Sequence, residues 1–403
     1  MPPKPRPVTA KALQTLLTRI GSASSGTKDV LSHRLKRDIL DSRLFSRRPE
    51  WQDQLKSDRQ RGLRVFSIDM GIKNLAFCDV IVNYSERDAR KPTMDVIQWD
   101  KLNLADATRE LRRPLPNPLS RIKIEADEGE EVDPYSLYVL SRAAHNFITR
   151  HVLAGDPDII LIESQRWRSA SSSAIQQWTV RVNTLEAMLW TTLHTIQVEY
   201  KKNNPEPKHY QMKRDYETFG VDPKRVGQFW LGQHAQAMAE KEGTTDSEMV
   251  VDALVEVEGD KASSKKIPRS KAEKKAKIAI LRSWLATEPA STASTTPESA
   301  PNISFKIGIG ATAAREALAL PTLAKPRKKK VKGGDDGSVA ETGKEMKKLD
   351  DITDCFLQAA AWVAWESNRL QLYEAWEKQV EKDGKLPDLD DEILKEMVKI
   401  SGV

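Results

Sequence analysis

The stretch VFSIDMGIKNLAF, residues 65–77, joins two short apolar runs through a turn that begins just after Asp69. The apolar residues on both sides of the turn predict two neighbouring strands. Gly71 permits a tight turn and a close approach of the backbone to a bound phosphate. The sequence therefore offers Asp69, at the end of a buried strand, as a metal ligand or as an ordinary turn-capping residue.

Further acids stand at the ends of other apolar segments. Glu163 directly follows the run IILI, residues 159–162, which predicts another buried strand. Asp351 and Asp354 open the apolar helical stretch DDITDCFLQAAAW, residues 350–362. Their spacing of three places both side chains on one helical face. Hard divalent cations prefer carboxylate oxygens held on rigid elements, so this arrangement favours a metal centre.

Each of these acids also has a simpler interpretation. Glu163 could form a surface ion pair with Arg166 or Arg168, which follow it in the sequence. Asp351 and Asp354 could simply stabilise a helix N-terminus through the helix dipole. The metal interpretation gains its weight from the acids taken together, because the simpler interpretation must hold separately at every one of them.

The composition sets broad limits on the protein class. The chain has 403 residues, which allows one large domain or two moderate ones, and a formal net charge of +6. A basic pI of about 9.0 mildly favours a polyanionic partner. No apolar run reaches the roughly 18 residues of a membrane span, so we expect no membrane partner. Cys78 and Cys355 lie in apolar runs and are expected to be core residues without a disulfide.

Changes in composition divide the chain into segments. Helical spacing of leucines on both sides of a Gly- and Ser-rich turn predicts a small two-helix unit at the N-terminus. One strand is expected within 195–221, either at TIQVEY, residues 195–200, or around Phe219, and the sequence does not choose between them. The expected segments are 1–42, the helical unit; 43–62, a linker; 63–380, the main domain with a low-complexity insertion at about 242–346; and 381–403, a charged C-terminal tail.

The motifs resemble those of the RuvC-like branch of the RNase H-like superfamily, and most closely the fungal mitochondrial Holliday-junction resolvases. The resemblance implies an α/β fold, an RNase H-like mixed sheet with helices on both faces. The N-terminal unit resembles a SAP-type DNA-binding module. The matching segments are IDMGIKNLAF (68–77), IESQRWRS (162–169), DPKRVGQFW (222–230), SKAEKKAKI (270–278) and DDITDCFLQAAAW (350–362).

The resemblance implies a metal-dependent endonuclease that resolves four-way DNA junctions by paired symmetric nicks, leaving 5′-phosphate and 3′-hydroxyl ends. It gives the catalytic and metal-ligand roles to Asp69, Glu163, Asp351 and Asp354, with two Mg²⁺ or Mn²⁺ ions per active site and no small-molecule cofactor. Asp350 is an alternative to Asp351, because one sequence does not fix the register of the motif.

Basic and polar residues near these motifs are candidate DNA contacts. Lysine and arginine neutralise phosphates without reading sequence, although each could instead lie on a solvated face. Trp167 and Trp178 are expected in the core rather than as platforms for bases. The candidate contacts are Lys73, Asn74, Gln165, Arg166, Arg168, Arg225, Lys274, Lys275 and Lys277 in the main domain, and Lys28, Arg34 and Lys36 in the N-terminal unit.

A four-way junction needs two symmetric cuts, which a C2 homodimer with two active sites supplies. The predicted long helix 174–194, with Met188 and Trp190, is a candidate interface, or it is buried within one monomer. The stretch before Asp29 lacks acids, which fits either a mitochondrial targeting segment or a folded basic helix starting at Thr9. The resemblance implies the mitochondrial matrix, with mitochondrial DNA.

Two alternatives remain open at this stage. One is an RNase H-like nuclease that acts on another nucleic-acid structure, such as an RNA–DNA hybrid. The other is a noncatalytic junction-binding or nucleoid protein. Intact acids disfavour the second, because clustered negative charge weakens the binding of phosphate unless metal ions offset it.

Overall fold

A computed structural model describes eleven stretches of the chain. Arg166, Arg168, Trp167 and most of the expected linker 43–62 lie outside them. Of residues 234–242 and 269–270, only the helical backbone is described. The described residues are 8–43, 62–84, 91–104, 133, 135–165, 177–203, 216–242, 269–286, 302–319, 349–379 and 386–401.

In the main part of the chain three strands come first, and helices with three further strands follow them. A short π-helical turn and a 3₁₀ turn follow the third helix. The strands are β1 (Leu63–Asp69), β2 (Leu75–Asn83), β3 (Thr93–Leu102), β4 (Ile159–Glu163), β5 (Glu217–Val221) and β6 (Ser304–Gly310). The helices are α1 (Ala10–Arg19), α2 (Lys28–Leu40), α3 (Leu137–Phe147), α4 (Gln177–Asn203), α5 (Pro223–Glu242), α6 (Arg269–Ala286), α7 (Thr312–Ala319), α8 (Leu349–Glu377) and α9 (Asp391–Ile400).

The strands form one mixed sheet in the order β5-β4-β1-β2-β3-β6. The hairpin of β1 and β2 and the hairpin of β2 and β3 are antiparallel, whereas β1 pairs with β4 in parallel. In the β1–β4 ladder Ile68 lies opposite Ile162. The next residues, Asp69 and Glu163, therefore emerge side by side at one edge of the sheet, where both strands end.

Helices cover both faces of this sheet, as the sequence predicts. Alternate residues of β1 point to opposite sides. Phe66 and Ile68 join a core with α3 and α4, while Val65 faces a second core with α5, α6, α7 and α8. Helix α8 runs across the centre of that second face and is buried along much of its length. The expected α/β fold with a mixed sheet is confirmed.

A third core joins the two ends of the chain. Helices α1 and α2 pack against the C-terminal half of α8 and against α9. The segment expected to be a charged tail, 381–403, therefore contains a packed helix. Ile393, Leu394 and Met397 recur at helical spacing and are buried, and Asp390 caps the helix N-terminus through its side chain. The surrounding charged residues hide this apolar face in the sequence.

The structure decides between the two alternatives for residues 195–221 and corrects one other expectation. The stretch around Phe219 forms the strand β5, whereas TIQVEY continues the helix α4. The region 242–346, expected to be low-complexity, supplies β6 and α7 as well as α6. The parallel partner of the short strand β6 is β3, which lies about 200 residues earlier in the chain. No local sequence pattern predicts a pairing over that distance. Cys78 and Cys355 are buried and free, as expected.

Within the described residues, no helix is both long and apolar enough to cross a membrane.

Candidate active site

Four acids converge where β1 and β4 end and α8 begins. Asp69 is the last residue of β1, Glu163 is the last residue of β4, and Asp351 and Asp354 lie in the first turns of α8. Burial raises the pKa of the Asp69 carboxyl well above its usual range, and the charge of Glu163 and a hydrogen bond to it raise it further. The charges of Asp354 and Asp351 act on the same pKa in the same direction. The structure thus brings together the four acids that the sequence analysis names.

Glu163 is held by donors from the two loops beside it. Its Oε2 accepts hydrogen bonds from the backbone N of Met70 at 3.1 Å and from Nε2 of Gln165 at 2.9 Å. The backbone N of Gln165 donates in turn to Oε2 of Glu186 at 3.1 Å. Gln165, a candidate DNA contact, therefore orients Glu163 in this structure.

Glu186, in the middle of α4, is an acid of this site that the sequence analysis does not name. Burial raises its pKa, and the charge of Glu163 acts in the same direction. The local signal is weak, because Glu186 lies between Leu185 and Leu189 on a helix with no acidic motif around it. In the sequence, the only indication is an acid next to leucines at helical spacing, which predicts a partly buried carboxylate.

A buried polar network links the three acid-bearing elements. Nε2 of Gln358, one helical turn after Asp354, lies 3.1 Å from Oγ of Ser67 and 3.2 Å from the carbonyl oxygen of Ile68. It also lies 3.4 Å from the carbonyl oxygen of Leu161 on β4. The hydroxyl of Ser67 donates to the carbonyl oxygen of Cys355 at 2.8 Å. One amide and one hydroxyl therefore connect α8 to both strands within two residues of Asp69 and Glu163.

Two tryptophans also anchor α8. The indole N–H of Trp99 on β3 donates to the carbonyl oxygen of Ile352 at 2.9 Å, and that of Trp230 on α5 donates to Leu357 at 3.0 Å. Buried hydrogen bonds of this kind are costly to break, because the partner then stays unsatisfied. They fix the position of α8 along its own axis, and with it the first turn that carries the acids.

Lysines from α6 reach the acidic turn of α8. Nζ of Lys277 lies 2.9 Å from Oδ1 of Asp354. Lys274 pairs with Asp350, and this hydrogen bond raises the pKa of Lys274. Asp350 thus faces a lysine, whereas Asp351 is among the charges that act on Asp69, which favours Asp351 as the member of the acidic cluster. Lys275 is exposed on the same helix.

The donor set suits a hard divalent cation, because carboxylate oxygens come from three rigid elements. Within the described residues, however, no three or more His, Cys, Asp or Glu side chains are arranged so that they could hold a metal ion. The orientations explain this, since Glu163 accepts from two protein donors and Asp354 pairs with Lys277. The residues suit such an ion in their chemistry, and their carboxylate groups would have to rotate to bind it.

The turn after Asp69 carries Lys73 and Asn74, as the sequence analysis expects. Nζ of Lys73 lies 5.6 Å from the centre of the Tyr135 ring. Trp178, expected in the core, is 43% exposed, so that prediction is wrong. Trp178 lies at the start of α4, where its ring packs in a T-shaped contact against the ring of Tyr135.

The remaining candidate DNA contacts lie away from the acids. Arg225, at the start of α5, donates to the carbonyl oxygen of Gly21 at 3.3 Å and so links the main domain to the N-terminal helices. Arg34 donates to backbone carbonyls of the turn between α1 and α2. Lys36 pairs with Asp388 at 2.6 Å, and Lys28 is exposed at the start of α2.

This strand order, with acids at the ends of β1 and β4 and at the start of α8, is the arrangement expected from the resemblance to RNase H-like nucleases. The family model described as mitochondrial resolvase Ydc2 / RNA splicing MRS1 matches residues 65–372. The chain belongs to this family, and the matched range includes every acid of the cluster.

Relatives with curated names support the same family. The chain is 24% identical over 361 residues to cruciform cutting endonuclease 1, mitochondrial, of Saccharomyces cerevisiae, covering 88% of this chain and 81% of the relative. It is 28% identical over 219 residues to the protein of the same name from Schizosaccharomyces pombe, covering 54% of this chain and 65% of the relative.

The crystal structure of the yeast mitochondrial Holliday junction resolvase Ydc2 aligns over 92% of this chain and 99% of its own, at 16% identity and a TM-score of 0.43.

Proposed function

We propose that this protein is a metal-dependent, structure-specific endonuclease that resolves four-way (Holliday) junctions in mitochondrial DNA by paired symmetric nicks. The observation that carries the proposal is the convergence of four acids at the ends of β1, β4 and α8. It occurs in a chain of a family that contains mitochondrial cruciform cutting endonucleases. The reaction is phosphodiester hydrolysis that leaves 5′-phosphate and 3′-hydroxyl ends.

Asp69, Glu163, Asp351 and Asp354 would hold two Mg²⁺ or Mn²⁺ ions. When bound, such ions lower the pKa of an attacking water and neutralise charge on the phosphate and the leaving oxygen. Burial is the main cause of the raised pKa of Asp69, and repulsion from the neighbouring acids adds to it. Positive charge at this place would relieve that repulsion. Gln358, Ser67 and the backbone N of Met70 keep the ligand-bearing ends of the elements in place, so that only the carboxylate side chains would have to move.

The lysines of α6 supply positive charge at the edge of the acidic cluster. Lys277 and Lys274 neutralise Asp354 and Asp350 in the structure without DNA. A substrate phosphate would bind the same ammonium groups, since each has three donors and its carboxylate partner does not use all of them. Lys275 and Lys73 extend the basic region on either side and add affinity that depends on salt rather than on sequence.

The N-terminal helices would add a second DNA contact. Lys28 sits in the first turn of α2, where helix N–H groups and a cation together favour a phosphate. Arg34 and Lys36 have intramolecular partners, so Arg34 contributes through the shape of the turn. This contact would position junction arms without reading their bases.

A homodimer would place two such sites about one two-fold axis, matching the symmetry of the junction. The face of helix α4 that carries Val180 and Val198 remains the candidate interface, because these side chains are 42% and 45% exposed.

The proposal is tested by incubating the protein with a synthetic four-way junction, linear duplex, RNA–DNA hybrid and structured RNA, each with and without Mg²⁺. The RNA substrate is included because the family description also names RNA splicing. We expect paired symmetric nicks on the junction alone, and only with metal. Junction binding without cutting in either Mg²⁺ or Mn²⁺ would instead indicate a noncatalytic binder. Preferential cutting of the hybrid would assign the protein to another RNase H-like activity.

A further inference from the structure

An exposed group of aromatic and basic side chains lies on the face of the sheet covered by α3 and α4. None of these aromatic rings takes part in the acidic cluster. We call this group the aromatic–cation surface. Its members are Lys73, Tyr135, Tyr138, Arg142, Trp178 and Arg181.

Tyr135 is the centre of the group. The guanidinium of Arg181 lies 4.7 Å from the centre of its ring, and Nζ of Lys73 lies 5.6 Å from it. The ring of Trp178 meets Tyr135 edge-on, with centroids 5.5 Å apart. Arg181 also pairs with Asp133 at 3.6 Å. The cations are thus held against aromatic rings, which is a stable arrangement for a charge that still faces solvent.

The outer rings of the surface have open faces. Tyr138 is 67% exposed and Trp178 is 43% exposed. The guanidinium of Arg142 lies 5.7 Å from the Tyr138 ring centre. Leu137, beside Tyr138, is also 67% exposed. Exposed apolar area of this kind, surrounded by charged groups, is typical of a binding surface.

The surface borders the acidic cluster from two directions. Lys73 follows Asp69 by four residues, so their Cα atoms are at most about 14 Å apart. Trp178 precedes Glu186 by eight residues on α4, a distance of about 12 Å along the helix. Glu186 bonds the backbone of Gln165, whose side chain holds Glu163. A DNA strand that crosses the acids therefore reaches these rings within a few nucleotides.

We propose that the aromatic–cation surface stacks bases that are unpaired at the branch point, next to the phosphate that is cut. Lys73, Arg142 and Arg181 contact the flanking phosphates. Every base offers a π-face, so such stacking tolerates any sequence, and the cations supply the charge complementarity. A second copy of this chain is the less favourable occupant, since it would bring the same cations against these cations. This inference rests on the proposed junction-resolving function and names how that site holds its substrate.

The test is a cycle that combines protein variants with altered junctions. Trp178→Ser and Tyr138→Ser remove exposed rings, and Phe219→Ser, at a 36% exposed position of β5, is the matched control. Each protein is titrated with an intact junction and with one that carries abasic residues at the branch point, in EDTA so that no cutting occurs. Linear duplex serves as the reference substrate. Trp178→Phe, which keeps a ring, should restore most of the binding.

We expect each ring removal to weaken binding of the intact junction by about tenfold and binding of the abasic junction very little. Equal losses on both junctions would overturn the stacking proposal, as would no loss on either. A shift of Trp178→Ser or Tyr138→Ser from dimer to monomer in sedimentation would also overturn it and assign the surface to a second copy. If the wild-type protein showed no preference for junctions over duplex, the proposed function would fail, and this inference with it.

Discussion

At the scale of residues, the site depends on a buried, uncharged side chain that is not itself a candidate metal ligand. Gln358 is 3% exposed, and its amide bridges Ser67, Ile68 and Leu161 on the two strands that end in acids. The acids themselves could be predicted from the sequence, because each stands at the visible end of an apolar run. Gln358 could not, since it lies inside a helix and its partners are about 200 to 290 residues away.

We expect Gln358→Leu to raise the Mg²⁺ concentration needed for half-maximal cleavage by several-fold, because α8 loses its tie to both strands. Junction binding in EDTA should stay unchanged, since no phosphate contact is removed. Leucine fills a similar volume, so most of the stability loss, about 1–3 kcal/mol, would come from the unsatisfied oxygens. The measurement is a Mg²⁺ titration of the cleavage rate.

Gln371→Leu is the matched control on the same helix, because Gln371 bonds Arg19 far from the acids. If both variants lost stability but kept the wild-type Mg²⁺ midpoint, Gln358 would have a structural role only.

Gly21 is a second residue that the local pattern explains only in part. Its φ of 71° lies in the left-handed region, and a Cβ there would stand 2.2 Å from the Trp365 ring. The sequence marks this place as a turn, but the contact with α8 is visible only in the fold. We expect Gly21→Ala to lower the free energy of unfolding by more than the roughly 1 kcal/mol of a left-handed alanine alone. Chemical denaturation measures it.

Gly232→Ala is the control for that substitution, because nothing lies within 4 Å of a Cβ at that position. An unchanged stability of Gly21→Ala would contradict the close contact with Trp365.

At the scale of elements, helices were predictable where apolar spacing is strong and missed where charge hides it. The sequence predicts a charged tail in place of helix α9, because acids and lysines surround its three buried residues. The pattern does not predict strand β6, because its seven residues, SFKIGIG, lie next to low-complexity sequence. In both cases the decisive partner, α8 or β3, is remote in the chain.

We expect Met397→Ala to lower the free energy of unfolding by about 2–5 kcal/mol, because Met397 is fully buried in the core shared by both chain ends. Differential scanning calorimetry of the full chain measures the loss. Lys399→Ala, on the exposed side of the same helix, should change little. Equal behaviour of the two variants would mean that α9 does not contribute to this core.

The N-terminal helices share that core, so deleting them would expose buried leucines and confuse DNA binding with stability. A surface substitution is cleaner. We expect Lys28→Ala to weaken junction and duplex binding to the same degree and to reduce the slope of log affinity against log salt by about one. Fluorescence anisotropy at several salt concentrations measures both quantities, with Lys306→Ala on β6 as the control. An unchanged slope would remove Lys28 from the DNA contacts.

At the scale of the whole molecule, the fold places acids, lysines and aromatic rings in one continuous region. The acids lie at the sheet edge, α6 brings lysines from one side, and α3 and α4 bring rings and cations from the other. The sequence could predict the acids and the basic helix, because both are local patterns. It could not predict that Tyr135 meets Lys73 and Arg181, because three separate elements meet there.

If the protein is a homodimer with one active site in each subunit, the number of nicks depends on how many of its subunits are active. Mixed dimers of wild-type chains and Asp69→Asn chains should leave one nick in each junction, because only one of the two sites is active. Denaturing gels of a junction on a small supercoiled plasmid separate one nick from two. Two nicks from mixed dimers at the wild-type rate would contradict one cut per subunit.

The central claim is that the acids at the ends of β1, β4 and α8 cut the DNA, rather than merely adjoin it. The most direct measurement compares junction binding and junction cleavage by Asp69→Asn in the same preparation, with Asp95→Asn on β3 as the control. We expect Asp69→Asn to bind the junction at least as tightly as wild type, since a negative charge is lost, and to show no cleavage in Mg²⁺ or Mn²⁺. Cleavage by Asp69→Asn at the wild-type rate, or a parallel loss of binding and cleavage, would contradict the claim.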